Sequence, residues 1–548
     1  MRSECLPFSN IPHSSRLFTD YLSYSGSTPG FYPRSPFISE WAKDEFQKID
    51  YPADRRKKVA DILERQNRSF GSNSKTSENL QKFRDGAAVA VTGQQVGLFG
   101  GPFFAVLKAL TAVKLARRAE AQGVPCVPVF WLATEDHDFD EVNHTVVPTP
   151  DATLAELRYS PQKKVEDSPV GDVSFGEEIT SVVDQLADLL GPSDITDALR
   201  QAYRPGENMG SAFGKLFASI FRDWGVILID AYDPEFHRLA EPMYRAAIDR
   251  AGELDELLIE RGNQLEAAGY HAQVKVTASS TPLFELKEVV PHLSSLSGDV
   301  GRQRTVIHRI NCDFKIGEDR CSKEDLLQRI SASPDKFSAN VLLRPIIQDY
   351  LLPTLAYTGG PAEVAYFAQV AVLYQQLLGR VTPVIPRFSA TVVEAKLGKF
   401  LEKYGMKLVD IFQGEERLRV VMAQNVLPPT MQSDFAAAAT AITRAMDKVR
   451  ANLQQLDPTL VETANTAESR IRQQFEQLEG RAARAQLKRD EVIERHAKAL
   501  SAHLFPNREL QEREIAGVYF LAKIGLGLLD SLYEAASHDC PDHQVVFL

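Results

Sequence analysis

The densest group of chemically active side chains lies in the segment TEDHDFDEVNH at residues 134–144. It holds five carboxylates and two histidines, namely Glu135, Asp136, Asp138, Asp140 and Glu141 with His137 and His144. Such crowding raises the pKa of some carboxyl groups and suits them to general-base work or to binding an amine. Metal binding through His137 and a neighbouring aspartate is a second interpretation, and a solvated acidic turn is a third. We predict Asp136, His137 and Asp138 as catalytic residues, and assign no metal ligands.

A second candidate site is the glycine-rich segment GQQVGLFGGP at residues 93–102. Glycines let the backbone turn tightly and approach a ligand, and Pro102 suits the first position of a helix whose free amides favour an anion. The spacing fits neither the dinucleotide fingerprint nor the Walker loop. We predict substrate binding here, with a tight structural turn as the alternative. The residues concerned are Gln94, Gln95, Gly97, Gly100 and Gly101, with Lys108 on the following helix near a bound phosphate.

The segment GGPAEVAYF at residues 359–367 repeats this pattern of two glycines, a proline and a helix start. Glu363 and Tyr366 lie about one turn apart on that helix and could meet a sugar hydroxyl or a nucleotide. Two such starts suggest a ligand held between loops. We therefore add Gly359, Gly360, Glu363 and Tyr366 to the predicted substrate-binding set, with a structural helix cap as the alternative.

Further candidates are scattered along the chain. His271 in GYHAQV begins a predicted strand and is a substrate-binding candidate, although a lone histidine is more often structural. Arg387 and Ser389 in PRFS follow another predicted strand and could hold a phosphate or carboxylate. Arg513, Tyr519 and Lys523 could contact a nucleotide, or simply belong to a helix that packs on the core.

The elements that must position these residues form an α/β unit. Residues 86–91 and 124–134 are predicted strands, and residues 103–123 between them have helical periodicity. This is one βαβ crossover, which implies a parallel sheet with ligand-binding loops at the carboxyl ends of its strands. Further strands are predicted at 225–231, 271–277 and 304–310, a helical stretch at 341–379, and a strand and turn at 381–394.

Residues 430–504 differ in kind because apolar residues recur there every three and four positions. The first run is Phe435, Ala439, Ile442, Met446, Val449, Leu453 and Leu456, and a second run follows Pro458. The pattern predicts two long antiparallel helices forming a coiled-coil arm, with a helical bundle packed on the core as the alternative. We divide the chain into a core at 1–425 with inserts roughly within 150–340, an arm at 426–504 and a docking C-terminal segment at 505–548.

Composition limits the classes of function. The chain has 548 residues, 44% hydrophobic and 25% charged, with a formal net charge of −11. This is a globular, multidomain profile, and the acidic balance argues against a nucleic-acid binder. We expect no membrane span, no signal peptide and a cytoplasmic location. The five cysteines show no paired spacing, so we expect idle thiols rather than disulfides or a thiolate zinc site.

Six ordered segments together resemble the cysteine ligase family of bacillithiol biosynthesis. They are VTGQQVGLFGGP, PVFWLATEDHDFDEVNH, GYHAQV, RPIIQDYLLPTLAYTGGPAEVAYFAQ, VIPRFSATVVE and FPNRELQER. The resemblance implies a Rossmann-like core related to nucleotidyltransferases and class I synthetases, with inserted subdomains and a long antiparallel coiled-coil arm that pairs two subunits. The ATP-binding HIGH and KMSKS motifs of those relatives are missing in recognisable form, and GQQVGLFGGP occupies the place of the first.

The resemblance implies a ligase that adds L-cysteine, through an amide, to the sugar amine of glucosaminyl malate. ATP or ADP is the expected nucleotide, bound by Lys108, Arg387, Ser389, Arg513, Tyr519 and Lys523. The expected partners are cysteine, glucosaminyl malate and a second copy of the chain, with neither nucleic acid nor membrane. The alternative is a non-catalytic nucleotide-binding dimer that recruits a partner through its coiled coil.

Overall fold

The computed structural model describes residues 2–161, 167–289, 301–425, 429–487, 491–536 and 540–548. Its strands are β1 (Arg2–Leu6), β2 (Ala88–Gln94), β3 (Cys126–Leu132), β4 (His144–Pro148), β5 (Leu154–Arg158), β6 (Ile227–Asp230), β7 (Ser280–Val289), β8 (Gly301–Ile310), β9 (Asp313–Ile316), β10 (Asp319–Cys321), β11 (Phe337–Ala339), β12 (Thr354–Gly359), β13 (Val384–Pro386), β14 (Ala390–Val393) and β15 (His543–Phe547).

The helices before the arm are α1 (Arg16–Leu22), α2 (Ala42–Gln47), α3 (Ala53–Ser69), α4 (Ser74–Arg84), α5 (Phe104–Ala121), α6 (Phe139–Val142), α7 (Glu178–Leu190), α8 (Asp194–Ala202), α9 (Met209–Ile220), α10 (Pro234–Asp249), α11 (Ala251–Ala267), α12 (Lys323–Ala332), α13 (Arg344–Leu351), α14 (Pro361–Leu378), α15 (Ala395–Lys403), α16 (Leu408–Ile411) and α17 (Glu415–Asn425). From the arm onwards they are α18 (Pro429–Leu456), α19 (Leu460–Leu487), α20 (Glu491–Leu504), α21 (Gln511–Glu514), α22 (Gly517–Ile524) and α23 (Gly527–Ala535).

A parallel sheet in the order β13-β12-β2-β3-β6 forms the centre of the molecule. Every residue of β3 is buried, because helices cover both faces of the sheet. Successive side chains of β3 enter opposite cores: Val129 and Trp131 pack on one face, and Phe130 and Leu132 pack on the other. The α/β, Rossmann-like fold predicted from the sequence is confirmed.

Two helices cross over between neighbouring strands of this sheet. Helix α5 joins β2 to β3, and helix α14 joins β12 to β13. Both are lined with apolar residues on most of their surface, so that each is largely buried against the sheet and its surroundings. Both helices start at the carboxyl ends of the strands that precede them, which places their N-termini at one end of the sheet.

Smaller sheets surround the central one. An antiparallel sheet in the order β10-β9-β8-β7-β11 is built from residues 280–339, and β4 pairs with β5 in a hairpin. The third sheet, β1-β15-β14, brings the two ends of the chain together. There Cys5 and Cys540 form a disulfide across 535 positions of sequence. The expectation of five idle thiols was wrong for this pair, because only the pairing of β1 with β15 makes them neighbours.

Helices α18 and α19 form the predicted coiled-coil arm. They pack side by side, with the rings of Phe435 and Phe475 5.5 Å apart, and Pro458 lies in the turn between them. Several apolar side chains of the arm face solvent, as Ile471 is 43% exposed, Leu478 54% and Leu456 77%. The arm therefore covers only part of its own apolar surface.

Two predicted elements were wrong. Residues 271–277 form no strand, because the Gln369 side chain bonds both the N–H and the C=O of Val274 and takes the place of a neighbouring strand. The helical stretch predicted at 341–379 is interrupted by β12, whose residues are all buried. Among the described helices, none has the length and apolar character needed to cross a membrane.

Candidate functional site

A cleft of about 560 Å³ lies at the carboxyl ends of the parallel strands, and we call it the central cleft. Gln94 and Gln95 reach it from the end of β2, and Glu135 and Asp136 from the loop after β3. The strands β12 and β13 contribute Gly360 and Arg387 in the same way. Strands with different positions in the sequence thus direct polar groups into one space.

Lys108 on α5 and Glu363 on α14 join the two helix starts across the central cleft. The buried Lys108 ammonium lies 2.6 Å from Glu363, and it also donates to Gly93 O and Gln94 Oε1, each at 2.8 Å. Burial lowers the pKa of the Lys108 ammonium. Burial alone would raise the pKa of Glu363, but the Lys108 charge and a hydrogen bond from Tyr357 outweigh it and lower that pKa. The pair is ionised and fixes the distance between the helices.

The acidic loop presents Asp136 and His137 to the central cleft. Asp136 accepts hydrogen bonds from Gln95 Nε2 at 2.7 Å and from the His137 amide at 2.7 Å. Burial opposes ionisation of Asp136, but the His137 side chain, the Gln95 amide, the Arg304 guanidinium and the His137 backbone amide together hold its pKa well below the usual range. Asp138 is exposed and is not among the residues that line the cleft, and its Oδ1 accepts from the Glu141 amide as the N-cap of α6.

The pKa of Glu135 is shifted in the opposite direction to that of Asp136. It lines the central cleft, and burial raises the pKa of its carboxyl from 4.5 to about 7. Crowding of carboxyl groups in the sequence predicts that some of them have a raised pKa, but it does not single out Glu135. Which of the five neighbouring carboxyl groups is buried depends on the fold and cannot be read from their spacing.

Two arginines of the central cleft were missed by the sequence analysis. Arg304 on β8 donates to His137 Nδ1 and Ala339 O, both at 3.0 Å, and its side chain is 6% exposed. Arg344 at the start of α13 donates to Tyr366 Oη at 2.9 Å and to Gln348 Oε1 at 3.1 Å. The sequence offered two weak signals for them. Arg304 lies within an alternating strand, and Arg344 directly precedes a proline at the start of a helix.

The structure does not place the three glycines of the glycine loop where they could contact a ligand in the central cleft. Gly97, Gly100 and Gly101 are buried and do not line the central cleft, and a Cβ on Gly97 would lie 2.8 Å from Gly101 Cα. The C-terminal segment covers the loop, since the Phe103 amide donates to Ile515 O and the Gly517 amide to Gly101 O. Pro102 precedes α5 and pairs with Ala516 rather than opening the helix. These glycines therefore act as a tight turn.

At the second helix start, Gly360 lines the central cleft and Gly359 lies under it. The Gly360 amide donates to Glu363 Oε2 at 2.8 Å as a helix cap, and a Cβ on Gly359 would lie 2.7 Å from the Glu363 Cβ. Tyr366 lines the cleft beside Arg344. Gly360 and Glu363 thus form the N-terminal cap of α14 and also part of the wall of the central cleft.

The residues predicted for nucleotide binding are divided between several places. Lys108, Arg387 and Arg513 line the central cleft, whereas Ser389 is buried behind it. Arg387 and Ser389 both bond Glu512, at 2.6 and 2.8 Å. Tyr519 and Lys523 do not line the central cleft and bond Glu394 instead. His271, which was predicted for substrate binding, does not line the cleft either and is exposed to solvent.

The described residues include one group of three potential metal-ligand atoms, and it lies away from the central cleft. It consists of Cys5, Cys540 and Asp542, and its two sulfur atoms are joined in the disulfide and so are not free thiolates. The acidic loop therefore offers no preformed three-ligand site, and its side chains are tied instead to Gln95, Arg304 and backbone amides.

Comparison with known proteins relates both parts of the chain to one family. Residues 1–388 match the model described as "Bacillithiol biosynthesis BshC, N-terminal Rossmann-like domain", and residues 390–548 match "Bacillithiol biosynthesis BshC, C-terminal coiled-coil domain". Proteins named "Putative cysteine ligase BshC" from Koribacter versatilis and Solibacter usitatus are 45% and 34% identical, each over 100% of both chains. One of the same name from Salinibacter ruber is 35% identical over 97% of this chain and 96% of its own.

Proposed function

The chain belongs to the bacillithiol biosynthesis BshC family, and from this membership and the central cleft we propose that it joins the carboxyl group of L-cysteine to the amine of glucosaminyl malate. The product is an amide, so a carbon–nitrogen bond is formed. The single observation that carries the proposal is the composition of the central cleft, where anion-binding arginines face a carboxyl group suited to accept a proton.

Arg344 supports binding of an anionic substrate. Its hydrogen bonds go to the neutral groups of Tyr366 and Gln348, and none of the ion pairs among the described residues includes it, while the carboxyls of Glu135 and Glu363 act on its charge from a greater distance. A guanidinium that lines the cleft without a carboxylate directly against it is suited to bind a substrate carboxylate or phosphate. Both glucosaminyl malate and cysteine carry carboxylates that Arg344 could bind.

The acidic loop supports recognition of the amine and hydroxyl groups of a sugar. Asp136 remains ionised and its position is fixed by Gln95, so it is suited to hold an ammonium or hydroxyl group in place. His137 lines the same cleft and accepts a hydrogen bond from Arg304 through Nδ1. Asp138 contributes by capping α6, which carries the loop.

ATP is the proposed co-substrate, and it would activate the cysteine carboxyl group. Lys108, Arg387 and Arg513 lie on one cleft and could contact its phosphates. Lys108 already forms an ion pair with Glu363, and Arg387 with Glu512. A bound phosphate would therefore share each of these cations with a carboxylate. Tyr519 and Lys523, which bond Glu394, take no part in this proposal.

The exposed apolar residues of the arm support a homodimer. Ile471, Leu478 and Val449 are each more than two-fifths exposed, which is unfavourable for a helix pair in water. A second copy of the arm would cover them, and the arm is proposed as the dimer interface. This proposal is independent of the chemistry in the central cleft.

Purified protein supplied with cysteine, glucosaminyl malate and ATP should form bacillithiol, identified by mass spectrometry. Omission of each substrate in turn is the control. Bound nucleotide without product under all conditions would instead support a non-catalytic nucleotide-binding module. Arg344→Met should raise the KM of a carboxylate-bearing substrate by at least about tenfold, because a charge-assisted hydrogen bond is worth roughly 1.5–3 kcal/mol.

A further inference from the structure

Glu135 lines the central cleft, and the buried His237 lies behind it. Glu135 follows β3, and His237 lies on α10, with its Nε2 3.4 Å from Glu135 Oε1. The His237 side chain is 1% exposed and that of Glu135 is 14% exposed. Neither facing atom has a hydrogen bond to any other described group. Two polar atoms buried in this way are unfavourable unless a proton lies between them.

The tautomer of His237 shows why a proton is required. Its Nδ1 lies 2.9 Å from Phe337 O, which can only accept, and 3.2 Å from Tyr244 Oη, which can accept as well as donate, so Nδ1 carries the hydrogen of the neutral ring. Nε2 then presents a lone pair to Glu135 Oε1. An ionised carboxylate would present a second lone pair, and the contact becomes favourable only when one proton is shared. The pair is therefore built to hold one proton.

The surroundings place that proton on Glu135. Burial lowers the pKa of His237 to about 4, whereas burial raises the pKa of Glu135 to about 7. The charged groups that face Glu135 are Arg304 and Arg344, which favour its ionisation, and Asp136 and Asp230, which oppose it. The phenols of Tyr232 and Tyr244 also face Glu135. His237 is faced by Asp335 and Asp233, which favour its protonation, and by Arg302, which opposes it. Glu135 thus gains and loses its proton near neutral pH, the range in which a general base is most effective.

We propose that Glu135 is the base that accepts a proton from the substrate amine, and that His237 is a positioning residue that receives the hydrogen bond of protonated Glu135. This inference rests on the proposed function and names the proton acceptor for it. It also separates Glu135 from Asp136, since a carboxylate held by Gln95 and by a backbone amide is the weaker base.

Amide formation removes two protons from the substrate nitrogen. The substrate ammonium gives one N–H proton to Glu135 Oε2, since Oε1 is buried against His237, and rotation of the carboxyl group then brings the protonated oxygen to His237 Nε2. The free amine attacks the carbonyl carbon of the activated cysteine. A carbon–nitrogen bond forms, and the bond between that carbon and its phosphate oxygen breaks. The electron pair leaves with the phosphate group, which also takes the second N–H proton, directly or through water. Glu135 then returns its proton to solvent through the cleft.

Initial rates of bacillithiol formation across a range of pH test this assignment with three variants. Glu135→Gln removes the base and should lower kcat at least about 100-fold while each KM changes less than about threefold. His237→Asn keeps a donor for Phe337 O but leaves nothing opposite Glu135 Oε1. It should lower kcat about tenfold and move the acid limb of the kcat profile to lower pH, because protonated Glu135 loses its acceptor.

Asp255→Asn is the matched control. Asp255 is another buried carboxyl whose pKa is raised by burial, to about 6, but it lies against Arg309 outside the central cleft. Its rate should stay within about twofold of wild type, with melting temperatures recorded for all variants. If the wild type forms product and the kcat of Glu135→Gln is within about threefold of the wild-type value, the assignment of Glu135 as the base is wrong. No product from wild type would instead refute the proposed function.

An infrared titration tests the proton-holding pair without catalysis. Wild type should show a protonated carboxyl band that titrates near neutral pH and is lost in Glu135→Gln, whereas the band of Asp255, whose pKa is raised to about 6, should remain there and be lost in Asp255→Asn. His237→Asn should keep the Glu135 band and shift its titration to lower pH. Identical titrating bands in wild type and Glu135→Gln would show that the pair holds no proton, and would overturn the proposal even if the enzyme makes bacillithiol.

Discussion

Replacing Lys108 with methionine should destabilise the core by about 3–5 kcal/mol. The Lys108 side chain is 4% exposed, and its three hydrogen atoms are used by Glu363, Gly93 O and Gln94 Oε1 at 2.6–2.8 Å. Methionine fills a similar volume but leaves the Glu363 carboxylate buried without its cation. The magnitude follows from that uncompensated charge rather than from lost packing.

The effect should also depend on pH in a defined direction. Without Lys108, burial of Glu363 is no longer outweighed, so the pKa of its carboxyl should rise above the unfolded value. A carboxyl with a raised folded-state pKa contributes stability at low pH and loses it as pH rises through that pKa. The deficit of Lys108→Met relative to wild type should therefore be smaller near pH 5 than near pH 8.

Thermal and guanidinium unfolding, followed by circular dichroism, measure this prediction. The double variant Lys108→Met/Glu363→Gln should recover much of the loss, since it removes both charges together. Lys114→Met on the same helix is the control, because Lys114 donates to the Tyr533 carbonyl and lies away from the cleft. A deficit below about 1 kcal/mol, or a double variant less stable than the single one, would refute the reasoning.

Three further predictions concern other parts of the molecule. Glu135→Gln should equal wild type in stability below about pH 4.5 and exceed it increasingly as pH rises, by up to roughly 3 kcal/mol above about pH 7, because the folded protein keeps Glu135 protonated while the unfolded carboxyl ionises; parallel melting curves would contradict this. Glu512→Gln should cost about 3–5 kcal/mol, since buried Arg387 loses its counter-ion, and limited proteolysis should release the C-terminal segment sooner. Leu478→Glu on the arm should reduce the mass measured by light scattering to that of one chain, and an unchanged mass would argue against the arm as the dimer interface.

The sequence predicted those features whose signal is local. The crossover of β2, α5 and β3 and the arm helices follow from short periodic patterns, and their types were correct. The strand β12 was missed because a fully buried strand between two helices has no alternation to distinguish it. Its position decides where Gly360 and Glu363 lie, so the wall of the cleft was only partly foreseeable.

Contacts between distant segments could not be read from spacing. The glycine loop has the composition of a ligand-binding turn, yet residues 515–517 occupy its surroundings from the other end of the chain. Arg304 reaches the central cleft from β8, and His237 reaches Glu135 behind the cleft from α10, both far from the acidic loop in sequence. Burial set by these contacts, rather than residue type, separates Glu135 from Asp136.

Transfer of an oxygen label tests the proposed ligase reaction most directly. Cysteine carrying ¹⁸O in its carboxyl group is incubated with the protein, glucosaminyl malate and ATP, and the bacillithiol and phosphate-containing products are analysed by mass spectrometry. Activation of the cysteine carboxyl predicts bacillithiol together with one ¹⁸O in the released phosphate or nucleotide monophosphate. Absence of bacillithiol, or bacillithiol formed without label in any phosphate product, would contradict the account.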